Sequence, residues 1–334
     1  MKQSSLNRLL VAGVVSGVMG FASLGVHAQT ECLPGDLDPM YCDRDGDLVA
    51  DAPADASKFK TPGTLIFAFT PVEDPAVYDK LFQPFMAHLS ECTGIRTRFF
   101  QVQSNSAQVE AMRSGRLHIA AFSSGPTTFA VNIAGAVPFA IRGTENGPEG
   151  VRLTLIVRKD SPFQKIEDLK GKKVAHTSPS SNSGNLAPRA LFPKVGLVPD
   201  QDYTVVYSGK HDQSILGVKS GDYDAAPVAS DVLLHMTERG LVGEDEFRVL
   251  YTSDLFPTDS YAYAHDLHPD IANKIKQCFF DYKIPEEMAK GLGGDRFLPV
   301  TYKEGWQVIR DVAKDAGQDI GRGGYEEQTA KEKK

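Results

Sequence analysis

From about residue 64, the sequence alternates between short apolar runs and segments with helical periodicity. The run TLIFAFT, residues 64–70, carries no charge and predicts a buried strand. Asp74 and Pro75 then offer a capping carboxylate and a first-turn proline for a helix, which Gly94 would end. Because strands that alternate with helices form βαβ units, the pattern predicts an α/β fold with mainly parallel sheets.

Two distant segments share one design. AMRSGRLHIAAF (residues 111–122) and GVKSGDYDAAPV (residues 217–228) each place a basic residue, a serine and a glycine between a helix and a strand of small residues. A Ser-Gly pair between a helix and a strand is common, so one repetition of this pattern is weak evidence of an internal duplication. A mature chain of about 300 residues is nevertheless long enough for two hydrophobic cores. Together these features predict two similar α/β lobes.

The N-terminus has the layout of a secretory signal. Lys2 and Arg8 precede an uncharged apolar stretch at residues 9–22, and VHA at residues 26–28 has the small-x-small form of a cleavage site. This pattern predicts export and cleavage after residue 28. A retained membrane anchor is the alternative, but the apolar run is short for a span and no stop-transfer charges follow it.

The charge balance limits the partners. The formal charge is −7 for the whole chain, and it becomes −9 when Lys2 and Arg8 are removed with the signal. This balance argues against nucleic acid as a partner. It also means that an anionic ligand must be held by local dipoles rather than by the overall field.

The four cysteines suggest two different roles. Cys32 and Cys42 flank a short loop in an exported chain, so a disulfide is expected between them. Cys92 and Cys278 lie in amphipathic patterns, and buried free thiols are expected there, with a second bridge as the alternative. The sequence has no CxxC motif or Cys/His cluster that would indicate zinc.

Residues 29–61 are acidic, rich in Pro and Gly, and without clear periodicity, which predicts an N-terminal arm. Four aspartates fall at positions 1, 3, 5 and 9 of a calcium-loop count: Asp43, Asp45, Asp47 and Asp51. However, Leu48 stands where position 6 requires glycine, and Ala54 stands where position 12 requires glutamate. A solvated acidic segment is therefore the main interpretation, and a calcium site is the alternative.

The stretch HTSPSSNSGNLAP, residues 176–188, follows a predicted strand and precedes a predicted helix. The first amides of a helix lack intrahelical partners and carry partial positive charge, so they bind anions. Ser181, Asn182 and Ser183 add side-chain donors, and Gly184 permits close backbone approach. A capped turn without a ligand is the alternative. The chain has no P-loop or GxSxG motif, so nucleotide or serine hydrolysis lacks support.

Five segments in matching order resemble the phosphate-, phosphite- and phosphonate-binding components of ABC importers. They are TLIFAFTPVED, DLKGKKVAH, SSNSGNLAP, YSGKHDQSILGVKSGDYDAA and FPTDSYAY, and the resemblance runs from about residue 62 to about residue 310. It implies a type II periplasmic binding protein, with two α/β lobes joined by two hinge crossings that close over a ligand. It also implies a membrane permease as partner and no cofactor.

The resemblance allows the chain to be divided. Residues 62–155 and 259–320 are predicted to form lobe 1, and residues 156–258 to form lobe 2. The signal peptide (1–28) and acidic arm (29–61) precede them. Residues 321–334 follow as a charged tail, which we expect to be frayed.

The resemblance implies eight ligand-binding residues: Ser181, Asn182, Ser183, His211, Asp231, Asp259, Asn105 and Phe122. The family has aromatic residues where this chain has Asn105 and Phe122. Phe122 keeps an apolar wall without a hydroxyl, and Asn105 replaces ring surface with an amide. The choice among phosphite, phosphate and a phosphonate therefore stays open.

Carboxylates beside an oxyanion need a proton between the two groups. Asp231 and Asp259 are therefore interpreted as acceptors for a P–OH proton or for an amine on the ligand's substituent. This arrangement would select protonated oxyanions over sulfate, which has no proton to donate near neutral pH. The alternatives are salt bridging for the two acids, a satisfied helix-start ring for His211, and core packing for Phe122.

These observations favour a monomeric periplasmic solute-binding protein, not an enzyme, that delivers a small oxyanion to an ABC importer. Three alternatives remain. One is a sensory protein of the same fold that signals to a membrane histidine kinase. Another is a periplasmic phosphoesterase, for which no His/Asp cluster offers a metal shell or an activated nucleophile. The last is a structural module that uses the acidic loop.

Overall fold

Two β-sheets dominate the computed structural model, which describes residue 32 and residues 35–333. The predicted signal peptide lies outside the described residues. In the described part of the chain there are fourteen strands: β1 (Leu65–Phe69), β2 (Thr97–Phe99), β3 (Ile119–Phe122), β4 (Ala136–Thr144), β5 (Gly147–Pro148), β6 (Gly150–Val151), β7 (Leu153–Arg158), β8 (Lys173–His176), β9 (Thr204–Tyr207), β10 (Ala225–Ala229), β11 (Phe247–Thr252), β12 (Phe256–Pro257), β13 (Ser260–Ala264) and β14 (Arg296–Pro299).

The same part of the chain holds eleven α-helices: α1 (Pro75–Thr93), α2 (Asn105–Arg113), α3 (Ser124–Ala134), α4 (Ala187–Leu191), α5 (His211–Ser220), α6 (Ser230–Glu238), α7 (Pro269–Asp281), α8 (Glu286–Leu292), α9 (Tyr302–Gly305), α10 (Gln307–Asp315) and α11 (Arg322–Glu332). A single π-helical turn, Asn182–Leu186, leads into α4. Among the described helices, none is both long and apolar enough to cross a bilayer.

Each sheet is the centre of one lobe. The first has the order β14-β4-β13-β3-β1-β2, with β5 beside β4, and we call it and its helices lobe 1. The second has the order β11-β7-β10-β8-β9 and defines lobe 2. In lobe 1 the strands β2, β1 and β3 run parallel, and in lobe 2 the strands β9, β8 and β10 do so. The prediction of two similar α/β lobes is confirmed, and the two echoed segments end in the equivalent strands β3 and β10.

The parallel share of the sheets is smaller than expected, because antiparallel pairs outnumber parallel ones. In lobe 1, β13 runs antiparallel to β3 and β4; in lobe 2, β7 runs antiparallel to β10 and β11. Strands β7 and β13 are the first that the chain forms after passing from one lobe to the other. The sequence pattern contained no signal for the direction of these strands.

Two chain crossings join the lobes. One carries β6 from lobe 1 to lobe 2, and the other carries β12 back. The two segments form a short antiparallel ladder in which Val151 faces Phe256 and Gly150 faces Pro257. The two-crossing hinge is therefore present, and the exact residue boundaries assigned to the lobes remain a prediction.

Local sequence signals explain where α1 begins and ends. The side chain of Asp74 accepts a hydrogen bond from the Ala76 amide at 3.0 Å, and Pro75 occupies the first helical position. Gly94 ends the helix with a φ of 72°, which glycine adopts without steric strain. The apolar face of the helix packs Phe82 and Phe85 against the lobe 1 sheet, where Phe67 lies within 5.1 Å of the Phe82 ring.

The acidic arm lies against lobe 1. The amide of Asp38 donates to the carbonyl of Asn132 in α3, and its carboxylate pairs with Arg322. The amide of Lys60 donates to Asp266. Val49 and Ala50 are buried, so the arm contributes apolar contacts as well as polar ones.

The expectation of a frayed C-terminal tail is wrong, because residues 322–332 form α11. This helix packs on α2 and α3, where the Tyr325 and Phe129 rings lie 6.0 Å apart. The Tyr325 hydroxyl donates to the Ser106 carbonyl, and the Glu332 carboxylate accepts from the Ser106 amide and the Ser180 hydroxyl. The many charged residues of this segment suggested a frayed tail, although its small residues allow a closely packed helix.

The cysteines form two disulfides. The expected bridge joins Cys32 to Cys42. The expectation of free thiols at Cys92 and Cys278 is wrong, because they form a bridge that ties the end of α1 to α7. Their amphipathic patterns placed both on buried helix faces, but a sequence separation of 186 residues gave no sign that those faces meet.

We predict that Cys92→Ala/Cys278→Ala is destabilised more than Cys32→Ala/Cys42→Ala. A disulfide that closes a longer loop restricts the unfolded chain more, so the loss for Cys92–Cys278 should be about 3–5 kcal/mol and that for the short loop about 1–3 kcal/mol. Urea unfolding under oxidising conditions measures both. Equal losses would show that loop length does not govern the difference, and wild type with reductant is the control for the substitutions themselves.

Candidate functional site

A small cavity opens between the lobes at the carboxyl ends of their parallel strands, where open α/β sheets bind ligands. It offers about 40 Å³ to the centres of water-sized groups. Its polar and charged lining residues are Tyr78, Ser123, Ser124, Arg142, Ser181, Asn182, Ser183, His211, Asp231, His235, Thr258 and Asp259. Six of the eight predicted site residues are therefore brought together: Ser181, Asn182, Ser183, His211, Asp231 and Asp259.

The serine-rich turn is held in place from behind. Ser181 caps it by accepting from the Gly184 amide at 3.1 Å. Asn185 donates to the Pro179 carbonyl at 2.6 Å, and the buried His176 ring lies 2.8 Å from the Asn185 Oδ1. The bonds of Asn185 and His176 fix the turn through residues that do not line the cavity.

Gly184 is required by a close contact within the turn. A Cβ atom at this position would lie 1.9 Å from the Thr177 Oγ1. The glycine therefore allows the turn to fold onto the end of β8. The glycine was expected to allow a ligand to approach the backbone. In the structure the Thr177 side chain occupies the space beside Gly184.

Asn182 is buried without a protein partner. Its side chain lies in the cavity wall, and within the described residues neither its Oδ1 nor its Nδ2 makes a hydrogen bond. The Thr258 hydroxyl on the opposite wall is also buried and unpaired there. Buried polar groups without partners are rare and costly, so these atoms mark a surface shaped for a polar ligand.

The contacts of His211 fix its tautomer. Its Nδ1 accepts from the Ala229 amide at 3.0 Å, so the neutral ring carries its proton on Nε2. That nitrogen lies 3.4 Å from the Ser181 Oγ and faces the cavity. Burial lowers the pKa of His211 to about 4, although the negative charge of Asp231 opposes the shift. The ring is therefore a neutral donor at physiological pH.

Arg142 holds Asp259 in the cavity wall. Its Nη2 donates to the Asp259 Oδ2 at 2.8 Å, and its Nη1 donates to the Gly293 carbonyl at 3.2 Å. Burial raises the pKa of Asp259 to about 6, with Arg142 opposing the rise and Asp231 adding to it. One of the two acids proposed as proton acceptors is thus already engaged by a cation. Asp231, at the first turn of α6, has no such partner among the described residues.

The sequence analysis missed Ser123 and Ser124. Both follow β3 at the start of α3, where the first amides of the helix point their dipoles at the cavity. Ser123 accepts from the Thr70 hydroxyl at 3.1 Å, whereas Ser124 donates to the Pro257 carbonyl at 2.6 Å. The signal was available, because SSGP after a buried strand repeats the strand–serine turn–helix order of residues 176–188.

Phe122 and Asn105 are not in the lining, which corrects two of the predictions. Phe122 is fully buried in the lobe 1 core, because its side chain lies one residue before the polar end of β3. Asn105 lies on the seam between the lobes, where its Nδ2 donates to the hydroxyls of Ser178 at 3.1 Å and Ser180 at 3.0 Å. Its amide braces the turn from the side that faces away from the cavity.

The lobes meet directly around the cavity. The His211 amide donates to the Val72 carbonyl at 3.1 Å, and Arg239 of lobe 2 pairs with Glu73 of lobe 1. A Cβ at Gly125 in α3 would lie 2.2 Å from the Ser180 carbonyl oxygen and 2.9 Å from the Asn182 amide nitrogen. The missing side chain at Gly125 is therefore what lets α3 close onto the serine turn.

Three of the four candidate calcium ligands are close together. Oxygens of Asp43, Asp45 and Asp47 lie within 4.8 Å of one another. The carboxylate of Asp51 instead pairs with Arg44 at 2.8 Å. Leu48 takes a φ of 69°, the left-handed conformation for which calcium loops use glycine. Both interpretations of this loop, solvated segment and calcium site, remain predictions.

Two α/β lobes joined by two crossings, with a polar cavity between them, are the architecture of a type II binding protein. Residues 67–304 match the family described as "ABC transporter, phosphonate, periplasmic substrate-binding protein". This match covers most of the chain. The chain therefore belongs to the phosphonate-binding family of periplasmic substrate-binding proteins.

Two relatives by sequence are named for phosphate import and for phosphonate binding. The phosphate-import protein PhnD of Mycolicibacterium smegmatis is 26% identical over 275 residues, which cover 78% of this chain and 85% of the relative. The phosphonates-binding periplasmic protein of Escherichia coli is 26% identical over 211 residues, which cover 62% of each chain.

Two solved structures share the fold. A binding protein component of an ABC phosphonate transporter from Pseudomonas aeruginosa has a TM-score of 0.70 at 23% identity, covering 81% of this chain and 93% of its own. PhnD1 from Prochlorococcus marinus, in complex with methylphosphonate, has a TM-score of 0.69 at 19% identity, covering 77% and 99%. At these identities the likeness establishes the architecture.

We predict that Gly125→Ala weakens ligand binding without weakening the free protein. The added methyl meets the backbone of the serine turn only when the lobes are closed. An overpacking cost of about 1–3 kcal/mol on the closed form lowers affinity by roughly 5- to 150-fold. Alanine is also the better helix former in α3. Calorimetry with methylphosphonate and thermal melts without ligand measure the two effects.

The matched control is Gly63→Ala, because a Cβ at Gly63 has no atom within 4 Å. If Gly125→Ala binds as tightly as Gly63→Ala, the contact between α3 and the turn does not limit closure.

We predict that His211 makes the unliganded protein less stable as the pH falls from about 6.5 to about 4. Its folded pKa lies below its unfolded value, so the unfolded state binds more protons in that window. Stability is therefore present above the window and is lost on acidification, by up to about 1.4 kcal/mol per pH unit from this group. Urea unfolding across that range should show a shallower pH dependence for His211→Gln than for wild type.

Ser181→Ala is the control, because it alters the same cluster without removing a titrating group. A pH slope that is the same in wild type and His211→Gln would contradict the assignment of a buried neutral ring.

Proposed function

We propose that this protein captures a phosphorus oxyanion (a phosphonate, phosphite or phosphate) in the interlobe cavity and delivers it to the permease of an ABC importer. The observation that carries the proposal is the buried Asn182 side chain, which has no hydrogen-bond partner in the described chain and belongs to the cavity wall beside Ser181 and Ser183. A tetrahedral oxyanion has the acceptors that these groups and the turn amides require.

The electrostatics support an anion that still carries a proton. The ends of α3 and of the serine turn direct amide dipoles at the cavity, and His211 adds a neutral Nε2–H donor. Asp231 can accept a hydrogen bond from a P–OH group. Sulfate lacks that proton near neutral pH and would leave Asp231 facing bare negative oxygens.

The relatives give the proposal its biological setting. Since the relatives are named for phosphate import and phosphonate binding, we infer the same transport role for this chain. We further propose export through the signal at residues 1–28, action as a monomer in the periplasm, and binding without turnover. A sensory role in the same fold would use the same cavity and differ only in the membrane partner.

We predict that Ser183→Ala weakens oxyanion binding by about 1.5–3 kcal/mol, the range for a hydrogen bond to a charged group. Isothermal titration calorimetry of the mature protein with phosphate, phosphite, methylphosphonate and sulfate measures this loss. Ser208→Ala is a suitable control, because its hydroxyl bonds Ser214 and the Lys210 carbonyl and does not line the cavity.

Two outcomes would count against the proposal. The first is binding of none of the phosphorus oxyanions by wild type, or binding that Ser183→Ala leaves unchanged. The second is hydrolysis of an aryl phosphate that Ser183→Ala abolishes, which would favour a phosphoesterase.

A further inference from the structure

The ion pair between Arg142 and Asp259 follows from sheet register. Tyr261 of β13 faces Ala140 of β4, and the same antiparallel count carries Asp259 to the position opposite Arg142. The guanidinium is 1% exposed and the Asp259 side chain 11%, and both line the cavity. The pair is therefore built into the lobe 1 wall and does not depend on closure.

We infer that Arg142 determines the class of ligand, because it reserves the cavity for phosphorus oxyanions that carry no amine. This inference rests on the proposed function and narrows it to phosphate, phosphite and simple alkylphosphonates.

The first argument is the charge that an incoming ammonium group would meet. A lone buried carboxylate at Asp259 would attract such a group. Here the carboxylate already has a permanent cation 2.8 Å away, so an ammonium placed beside it would lie beside that cation as well. The repulsion acts at short range between buried groups, where screening is weak.

The second argument concerns the remaining acid. Asp231 and Arg142 line the same small cavity, so an ammonium at Asp231 would still lie near the guanidinium. A P–OH group is different, because it donates a hydrogen bond to Asp231 without adding positive charge. The arrangement thus favours a ligand with a P–OH group over one with an ammonium group, whereas two carboxylates without Arg142 would bind both.

Aliphatic side chains form part of the remaining wall, together with Phe69, Tyr78 and His235. Val72, Val151, Val232 and Leu292 line the cavity beside the acids. These side chains accommodate a hydrogen or a short alkyl group on phosphorus and offer no partner for an ammonium. Desolvating an ammonium against them without new hydrogen bonds is unfavourable.

The test uses two ligands of nearly equal size, aminomethylphosphonate and ethylphosphonate, which differ in an ammonium against a methyl group. Calorimetry on the mature wild-type protein should show ethylphosphonate binding at least about tenfold more tightly, since size is matched and charge is not. Methylphosphonate and phosphite serve as the reference ligands. Equal affinities, or tighter binding of the amine, would overturn the inference.

Arg142→Met tests the residue itself. Removing Arg142 should raise the affinity ratio of aminomethylphosphonate to ethylphosphonate by about tenfold or more, because Asp259 loses its cation and an ammonium on the ligand can then take the place of the guanidinium as its partner. In Arg142→Met/Asp259→Leu the carboxylate is also gone, and the ratio should fall back. An unchanged ratio in a folded Arg142→Met protein contradicts the inference.

The remaining outcomes separate this inference from the function on which it rests. If wild type binds none of the four ligands, the proposed function itself is wrong. If it binds methylphosphonate but neither larger ligand, size sets the limit and the role given to Arg142 is wrong. If Arg142→Met does not fold, the wild-type comparison still decides the question.

Discussion

The buried polar groups of the serine turn are the constraint on which this structure depends. The turn carries Ser181, Asn182 and Ser183 into a buried wall, where the Asn182 side chain has no hydrogen-bond partner among the described residues. It keeps this shape because His176 and Asn185 brace it from the core side. The protein thus holds the hydrogen-bonding groups in position before the ligand arrives. Hydrogen bonds to the bound ligand then offset the free-energy cost of burying those groups.

Charge is distributed so that a negatively charged protein can bind an anion. The overall charge opposes the entry of an anion, whereas helix amides, His211 and Arg142 supply local positive potential. Arg142 is paired with Asp259, and Asp231 adds a second carboxylate to the wall, so the charged side chains do not make the cavity cationic. The helix amides and the His211 Nε2–H therefore have to supply most of the attraction for an anion.

Features encoded by neighbouring residues were predictable, and those created by register were not. The cap at Asp74, the turn around Ser181 and the pairing of Cys32 with Cys42 all depend on residues close in sequence. Arg142 and Asp259 are 117 positions apart and meet only through the β4–β13 pairing. Phe122 was misplaced by a single residue, because side chains alternate between faces at the end of a strand. The family resemblance could give the position but not the direction of the side chain.

The cavity lies beside the ladder that joins the lobes, so a small ligand there can affect the closure of the two lobes. Val151 lines the cavity and also pairs with Phe256 in the ladder that connects the lobes. A rotation of the lobes about this ladder would therefore move the floor of the site less than its walls, which carry Ser124 on one side and Asn182 on the other. Gly125 allows the two walls to approach until their backbones are in contact. A ligand that bridges the walls therefore contacts both lobes at a distance from the hinge. A few hydrogen bonds are then sufficient to shift the equilibrium between the open and closed forms.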